Sequence, residues 1–139
     1  NGTGIARSLQ VMDDDVDQAK AGDRVGIALR NAEESSLSQG SLIVKSEESD
    51  SVEVHNKSEL NFIPSAFARY SPTVGGIILV AIDLQFVVGR IESADNNKIL
   101  VKWESPLMVR KHGTPHILIC QLDAKPRIIG YSIEYNKLE

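Results

Sequence analysis

Ile99-Leu100-Val101-Lys102-Trp103-Glu104 decides the fold class. Ile99, Val101 and Trp103 fall on one side of an extended chain and Leu100, Lys102 and Glu104 on the other, the two-residue period of a strand with one wet face. The same grammar recurs on both sides. Short runs rich in Val, Ile and Leu, separated by Gly, Pro, Asn and Asp, predict strands over Ile5 to Met12, Arg24 to Arg30, Ser41 to Lys45 and Ser51 to His55. Further strands are predicted over Gly76 to Asp83, Phe86 to Ser93, Ile117 to Leu122 and Arg127 to Glu134. Only Ala32 to Ser38 reads as helical, and Gly40 limits it to a turn or two. Many short strands at close spacing predict an all-β protein of barrel or sandwich type.

Between Lys45 and Val52 the run Ser-Glu-Glu-Ser-Asp-Ser lacks apolar residues, so a boundary between two small cores is expected near residue 48. The expected domains are 1–47, a small β-barrel truncated at its N-terminus, and 48–139, a second β-barrel. A content of 42% hydrophobic residues in 139 suits two such cores. Cys120 is the only cysteine, which excludes an intrachain disulfide and favours a reducing, cytoplasmic setting. The longest apolar run, Gly76 to Ile82, is too short to span a bilayer as a helix, so no membrane partner is expected. The first residue, Asn1, is not Met, which suggests a fragment or a trimmed chain.

The net charge of −4 argues against a protein that coats nucleic acid, yet the charge is unevenly placed. Residues 1–47 carry five basic and eight acidic side chains, with Asp13, Asp14, Asp15 and Asp17 clustered. In 98–127, Lys98, Lys102, Arg110, Lys111, Lys125 and Arg127 face only Glu104 and Asp123, with His112 and His116 nearby. A basic stretch of this kind can track phosphates, although an ordinary solvated face has the same composition.

Motifs for catalysis or metal binding are weak. Asp13, Asp15 and Asp17 match the first half of a calcium loop, but Gln18 stands where such a loop needs Gly and Arg24 where it needs Glu. His112 and His116 are separated by Gly113 and Pro115, which prevent a helix from aligning them as metal ligands. No Gly-rich loop ending in Lys-Ser or Lys-Thr is present for a nucleoside triphosphate, and no serine sits in a Gly-x-Ser-x-Gly turn. No metal site, cofactor site or catalytic residue is therefore expected in this chain.

The segment Arg7-Ser-Leu-Gln-Val-Met-Asp-Asp-Asp-Val-Asp-Gln-Ala-Lys-Ala-Gly-Asp-Arg-Val-Gly-Ile-Ala-Leu-Arg30 closely resembles the second half of the second domain of elongation factor Tu and elongation factor one-alpha. The match continues through Leu37-Ser-Gln-Gly-Ser-Leu-Ile43. It follows a strand, an acidic turn, an Ala-Gly-Asp turn, an apolar strand ending in Arg, a helical turn and a Gly-led strand. Gly22 and Gly40 sit where a turn must relax the backbone, and Val25, Ile27 and Leu29 alternate toward a core. Arg127-Ile-Ile-Gly130 is similar to the closing strand of the family's third domain, and Arg24 is most like the selenocysteine- or pyrrolysine-type special factors.

What the resemblance implies is a module that binds aminoacyl-tRNA, with GTP and magnesium handled by a separate GTP-binding domain and the ribosome as a further partner. It places Gln10 where the family has a Glu beside the terminal adenine, Met12 where an aromatic or His lines the pocket, and Arg24 where an Asn lies near the amino acid. Gln can donate and accept hydrogen bonds, Met adapts its shape, and Arg pairs with an anionic or strongly polar group. The resemblance places Lys125 and Arg127 close to the contact with the T stem, and the other four cations would extend a backbone-tracking surface. The alternative is a structural role, in which the barrels dock a GTP-binding domain, an exchange factor or the ribosome and touch no RNA. An enzyme on an unrelated small β fold is a third possibility that no motif supports.

Overall fold

The computed structural model describes residues 2–139 and divides the chain into two compact units, Asn1–Ser38 and Gln39–Glu139. The division falls earlier than the polar run that marks residue 48 in the sequence. Gly40 explains part of the shift: its φ is +86°, and a Cβ there would lie 2.8 Å from Gln85 Cγ and 2.9 Å from the Leu84 carbonyl, so the segment after Ser38 is pressed onto the second unit.

The first unit is a three-stranded antiparallel sheet. It contains β1 (Ile5–Val11), β2 (Asp14–Val16) and β3 (Val25–Arg30), in the order β2-β1-β3. Val11 pairs with Asp14, which leaves Met12 and Asp13 as a two-residue loop; both have positive φ, 53° and 69°, the backbone of a type I′ hairpin turn. The Asp13 to Asp17 cluster is thus a hairpin that continues into a strand. Gly22, with φ +97°, follows Lys20 and Ala21 in a turn closed by Asp23 N donating to the Lys20 carbonyl at 3.0 Å. The helical expectation over Ala32 to Ser38 reduces to one 3-10 turn, Glu34–Ser36. Leu9, Val11, Val25 and Leu29 are only half-buried, and no described residue of this unit is fully buried.

Ser41 to Lys45, expected as a strand, is not a strand of either sheet. Leu42 is half-buried there, while Ile43 and Val44 are exposed. A 3-10 segment, Ser46–Ser51, then leads into the second unit's eight antiparallel strands. These are β4 (Val52–Asn61), β5 (Ile63–Pro64), β6 (Ile77–Ile82), β7 (Gln85–Asp95), β8 (Lys98–Arg110), β9 (Ile117–Cys120), β10 (Ile128–Ser132) and β11 (Tyr135–Lys137). Their order is β11-β4-β8-β7-β6-β9-β10-β5.

Chain connectivity curls this sheet. β4 lies near one end and β5 at the other, yet only Phe62 separates them; β10 and β11 switch ends across Ile133 and Glu134. Gly130 sits at the resulting seam, where a Cβ would lie 2.5 Å from Phe62 Cε2 and would also press on the Ile63 carbonyl. The close approach of two strands is what demands glycine there.

Alternate residues of β6, β7 and β8 face the core, among them Ile78, Val80, Ile91, Ile99, Val101 and Trp103. Trp103 is buried, as its alternation predicts. Gly89 lies across from it, and a Cβ there would come 2.6 Å from Trp103 Cε3, so the indole occupies the space that a side chain would take.

Candidate functional site

Gln10, Met12 and Arg24 are brought to one end of the three-stranded sheet. Gln10 pairs with Gly26 on one flank and Asp15 on the other, and its Nε2 donates to Asp15 Oδ1 at 2.9 Å. Met12 is 92% exposed in the hairpin turn that follows. Arg24 precedes β3, whose first residue pairs with Val11; it is exposed and makes no ion pair among the described residues. Gly26, the direct partner of Gln10 on β3, has no side chain to cover it, and Gln10 is exposed. The end of this sheet therefore offers an amide held in place, a flexible thioether and an unpaired guanidinium.

The six cations of the basic stretch do not share one place. Lys98 and Arg110 are the first and last residues of the thirteen-residue strand β8, so on the order of 35 Å separates them. Three of the six are engaged: Lys98 Nζ meets Glu59 Oε1 at 2.9 Å, Arg110 donates to both carboxylate oxygens of Asp83 at 2.8 and 3.2 Å, and Lys111 lies 3.9 Å from Glu53. Lys98 and Asn136 together hold the Glu59 carboxyl below its ordinary value. Lys102 falls in a row with Lys57 on β4 and Arg90 on β7. That row is balanced by Glu92, which takes Lys57 at 2.6 Å and whose carboxyl is held low by the bond.

Lys125 and Arg127 differ from the others. Both are exposed, and neither has an ion pair among the described residues. They flank Pro126 in the β9–β10 loop, whose neck is closed by Gln121 N donating to the Arg127 carbonyl at 2.9 Å and whose Ala124 is anchored in the core. Two long cationic side chains thus stand on a fixed loop, free to reach outward.

Two buried polar groups escape a sequence reading. Gln85 is buried where β7 and β8 part company; its Nε2 donates to the Met108 carbonyl at 2.7 Å and its Oε1 accepts from Met108 N at 2.9 Å, so a side-chain amide replaces a missing strand partner. On β4, His55 Nε2 meets Glu53 Oε2 at 3.1 Å and Nδ1 meets Ser58 Oγ at 2.9 Å. Trp103 Nε1 donates to the same Ser58 oxygen at 2.9 Å, and Tyr135 packs edge-on against the imidazole at 5.2 Å. Burial pushes the His55 pKa down against the raising effect of Glu53, with Lys137 adding to the lowering.

The Glu-His-Ser order resembles a nucleophilic triad in outline only. Ser58 is 1% exposed and its hydroxyl already donates to the neutral ring and accepts from the indole, so no substrate carbonyl can reach it. The group sits at a bulge: Asn56 alone stands opposite Trp103 to Pro106, and its backbone N–H donates to the Glu139 carbonyl at 2.8 Å. A shallow cleft beside Asp83, Arg110, His112 and Thr114 has room for about one water, 10 Å³, too little for a substrate. Among the described residues no three His, Cys, Asp or Glu side chains gather as a metal site, and no helix is long and apolar enough to cross a membrane.

The curled antiparallel sheet and the smaller sheet that precedes it in sequence form a fold shared with two selenocysteine-specific elongation factors. The chain superposes over 94% of its length on a bacterial selenocysteine-specific elongation factor, EF-Sec, with TM-score 0.72 and 22% identity, covering 20% of that protein. It superposes over 100% of its length on elongation factor SelB from Methanococcus maripaludis in its apo form, with TM-score 0.73 and 18% identity, covering 34% of that protein. In sequence it is 28% identical over 128 residues to an uncharacterized protein of Methanocaldococcus jannaschii, a match over 91% of this chain and 39% of the relative. The chain thus spans well under half the length of each of these proteins. No family model matches it.

Proposed function

We propose that the chain is an aminoacyl-tRNA-binding β-barrel module of a translation elongation factor acting in the cytoplasm. The observation that carries it is the likeness to two selenocysteine-specific elongation factors over nearly the whole chain, joined to the unpaired Lys125 and Arg127 on a rigid loop. In this function Lys125 and Arg127 contact RNA phosphates and fix register without selecting bases. Lys98, Lys102, Arg110 and Lys111 contribute a weaker field, because three of them are already paired. Gln10, Met12 and Arg24 receive the 3′ end, the amide hydrogen-bonding the terminal base and the guanidinium meeting a polar or anionic aminoacyl group.

The resemblance that implies GTP and magnesium assigns them to a domain other than the barrels, and this sequence has no Gly-rich loop ending in Lys-Ser or Lys-Thr. In the proposed function they belong to a GTP-binding domain of the longer protein, which docks on the barrels, and the ribosome is the site of action.

The test is the double substitution Lys125→Glu with Arg127→Glu. It should weaken binding of every tRNA about equally and reduce the dependence of log affinity on log salt by roughly two, one contact per cation. An unchanged affinity and salt slope would favour docking without RNA contact. That second function has its own support in the outer face of β7, β6, β9 and β10, where Phe86, Leu118, Tyr131 and Ile128 are all exposed.

A further inference from the structure

The loop after β5 carries Ser65-Ala66-Phe67-Ala68-Arg69-Tyr70, and its exposed rings have no role in the core. Phe67 is 81% exposed and Tyr70 47%, with Arg69 exposed between them. Large aromatic side chains left in water on a protein of only 5% aromatic content mark a contact surface.

The loop is pinned. Ser65 N donates to the Ile129 carbonyl at 2.9 Å, Ala68 N to the Ser65 carbonyl at 3.0 Å and Phe67 N to Ser65 Oγ at 3.3 Å, while Ala68 packs against the core. Phe67 is therefore displayed on a fixed turn.

Register places this turn beside the loop already assigned to phosphate contact. Gly130 pairs with Pro64 and Tyr131 with Ile63, and the bond from Ser65 to Ile129 continues the same antiparallel run. The turn that displays Phe67 therefore begins at Ser65, tied to Ile129 two residues from Arg127 in sequence. The two loops leave the same end of the sheet. Together they hold three cations, Arg69, Lys125 and Arg127, with no ion pair among the described residues, two exposed rings, and one acidic side chain, Asp123.

We propose that this end of the second unit is a binding surface for unpaired RNA, in which Phe67 and Tyr70 stack on splayed bases while Arg69, Lys125 and Arg127 hold the adjoining phosphates. The chemistry selects single strands over duplex, because a base offers its face to a ring only when it is free of its own stack. Arg69, between the rings, can neutralise a phosphate or lie flat on a base. A protein partner would also bury the rings, but three uncompensated cations around them match a polyanion better. The proposal rests on the RNA-binding function above and adds to it a preference that backbone contacts alone do not give.

The experiment uses the 139-residue chain and two fluorescein-labelled probes, a ten-nucleotide oligoadenylate and an RNA duplex of ten base pairs. Phe67→Ala with Tyr70→Ala should weaken the oligoadenylate roughly tenfold or more and leave duplex affinity and the salt slope almost unchanged. Phe67→Trp retains a stacking face and adds an exposed indole, whose fluorescence oligoadenylate should quench and duplex should not. Exposed Phe67 and Tyr70 contribute little to folding, and an unchanged melting temperature verifies that each variant is folded.

Equal loss on both probes, or no loss with no quenching, overturns the stacking surface. If Lys125→Glu with Arg127→Glu still flattens the salt slope in that case, the RNA-binding function stands and only the stacking fails. If neither set of substitutions changes binding, the RNA-binding function fails with it.

Discussion

Replacing Ser58 by Ala tests whether the buried polar group holds the second unit together. The hydroxyl serves two buried partners at once, Trp103 Nε1 and His55 Nδ1, both at 2.9 Å. Without it the indole N–H and the ring nitrogen lose their partners where water cannot replace them. An unsatisfied buried group costs about 1–3 kcal/mol, so the substitution should destabilise by about 2–5 kcal/mol. For a unit of about a hundred residues a loss of about 3 kcal/mol lowers Tm by roughly 10–20 °C. Urea unfolding followed by far-ultraviolet circular dichroism measures the change without depending on the tryptophan. The decisive comparison is Ser58→Ala in a Trp103→Phe background, where the donor is already gone and the serine substitution should cost about 1–2 kcal/mol less. Equal costs in both backgrounds, or a cost below about 0.5 kcal/mol in the natural one, would refute the network.

Gly89→Ala should destabilise by about 1–3 kcal/mol, because the new methyl meets Trp103 and Val101 in a packed core; a neutral result on thermal unfolding would show that the indole can move aside. His55 gives a pH dependence. Its folded pKa lies below the ordinary 6.5, so as acid is added the unfolded chain takes up the proton first, and stability, full above about pH 6.5, falls below it until the folded ring protonates. Urea midpoints between pH 7.5 and 5.5 should therefore drop more in the natural chain than in His55→Gln, and identical drops would remove His55 as the cause. In the first unit, Met12→Asn with Asp13→Gly should stabilise the hairpin, since both positions have positive φ; a lower melting temperature would contradict the turn assignment.

Much of the fold is legible in the sequence because its strands obey a period of two. Ile78, Val80 and Ile82, or Ile99, Val101 and Trp103, point inward on schedule. What escapes is where the period breaks. The middle of β4 places His55 and Ser58 inward, three residues apart, and the irregular pairing at Asn56 shifts the phase between them, so no apolar alternation signals the rest of the strand. Likewise β8 runs on past Glu104 through Pro106 and regains its pattern at Leu107 and Val109. Ser41 to Lys45 misleads in the opposite sense, since an apolar run becomes a strand only where a neighbour's edge is available.

The candidate site is legible by residue type rather than by place. Lys98 and Arg110 are neighbours in the charge pattern but stand at opposite ends of one strand. Ion pairing depends on cross-strand partners such as Glu59 and Asp83, which lie 39 and 27 residues from the cations they engage. Phe67, Arg69 and Tyr70 lie in a loop that leaves the same end of the sheet as the Lys125 and Arg127 loop, which only the β5–β10 pairing reveals. Aromatic residues around an arginine in an otherwise apolar-poor loop are the one signal that could have drawn attention to it.

The measurement that bears most directly on the proposed function is the affinity of the 139-residue chain for one tRNA in its aminoacylated and deacylated forms, taken across a salt series. Aminoacyl-tRNA should bind more tightly, log affinity should fall linearly with log salt for both forms, and Arg24→Ala should shrink the difference between them without altering the slope. No binding at low salt, or equal affinity for the two forms that Arg24→Ala leaves unchanged, would contradict a module that holds the aminoacyl end of tRNA.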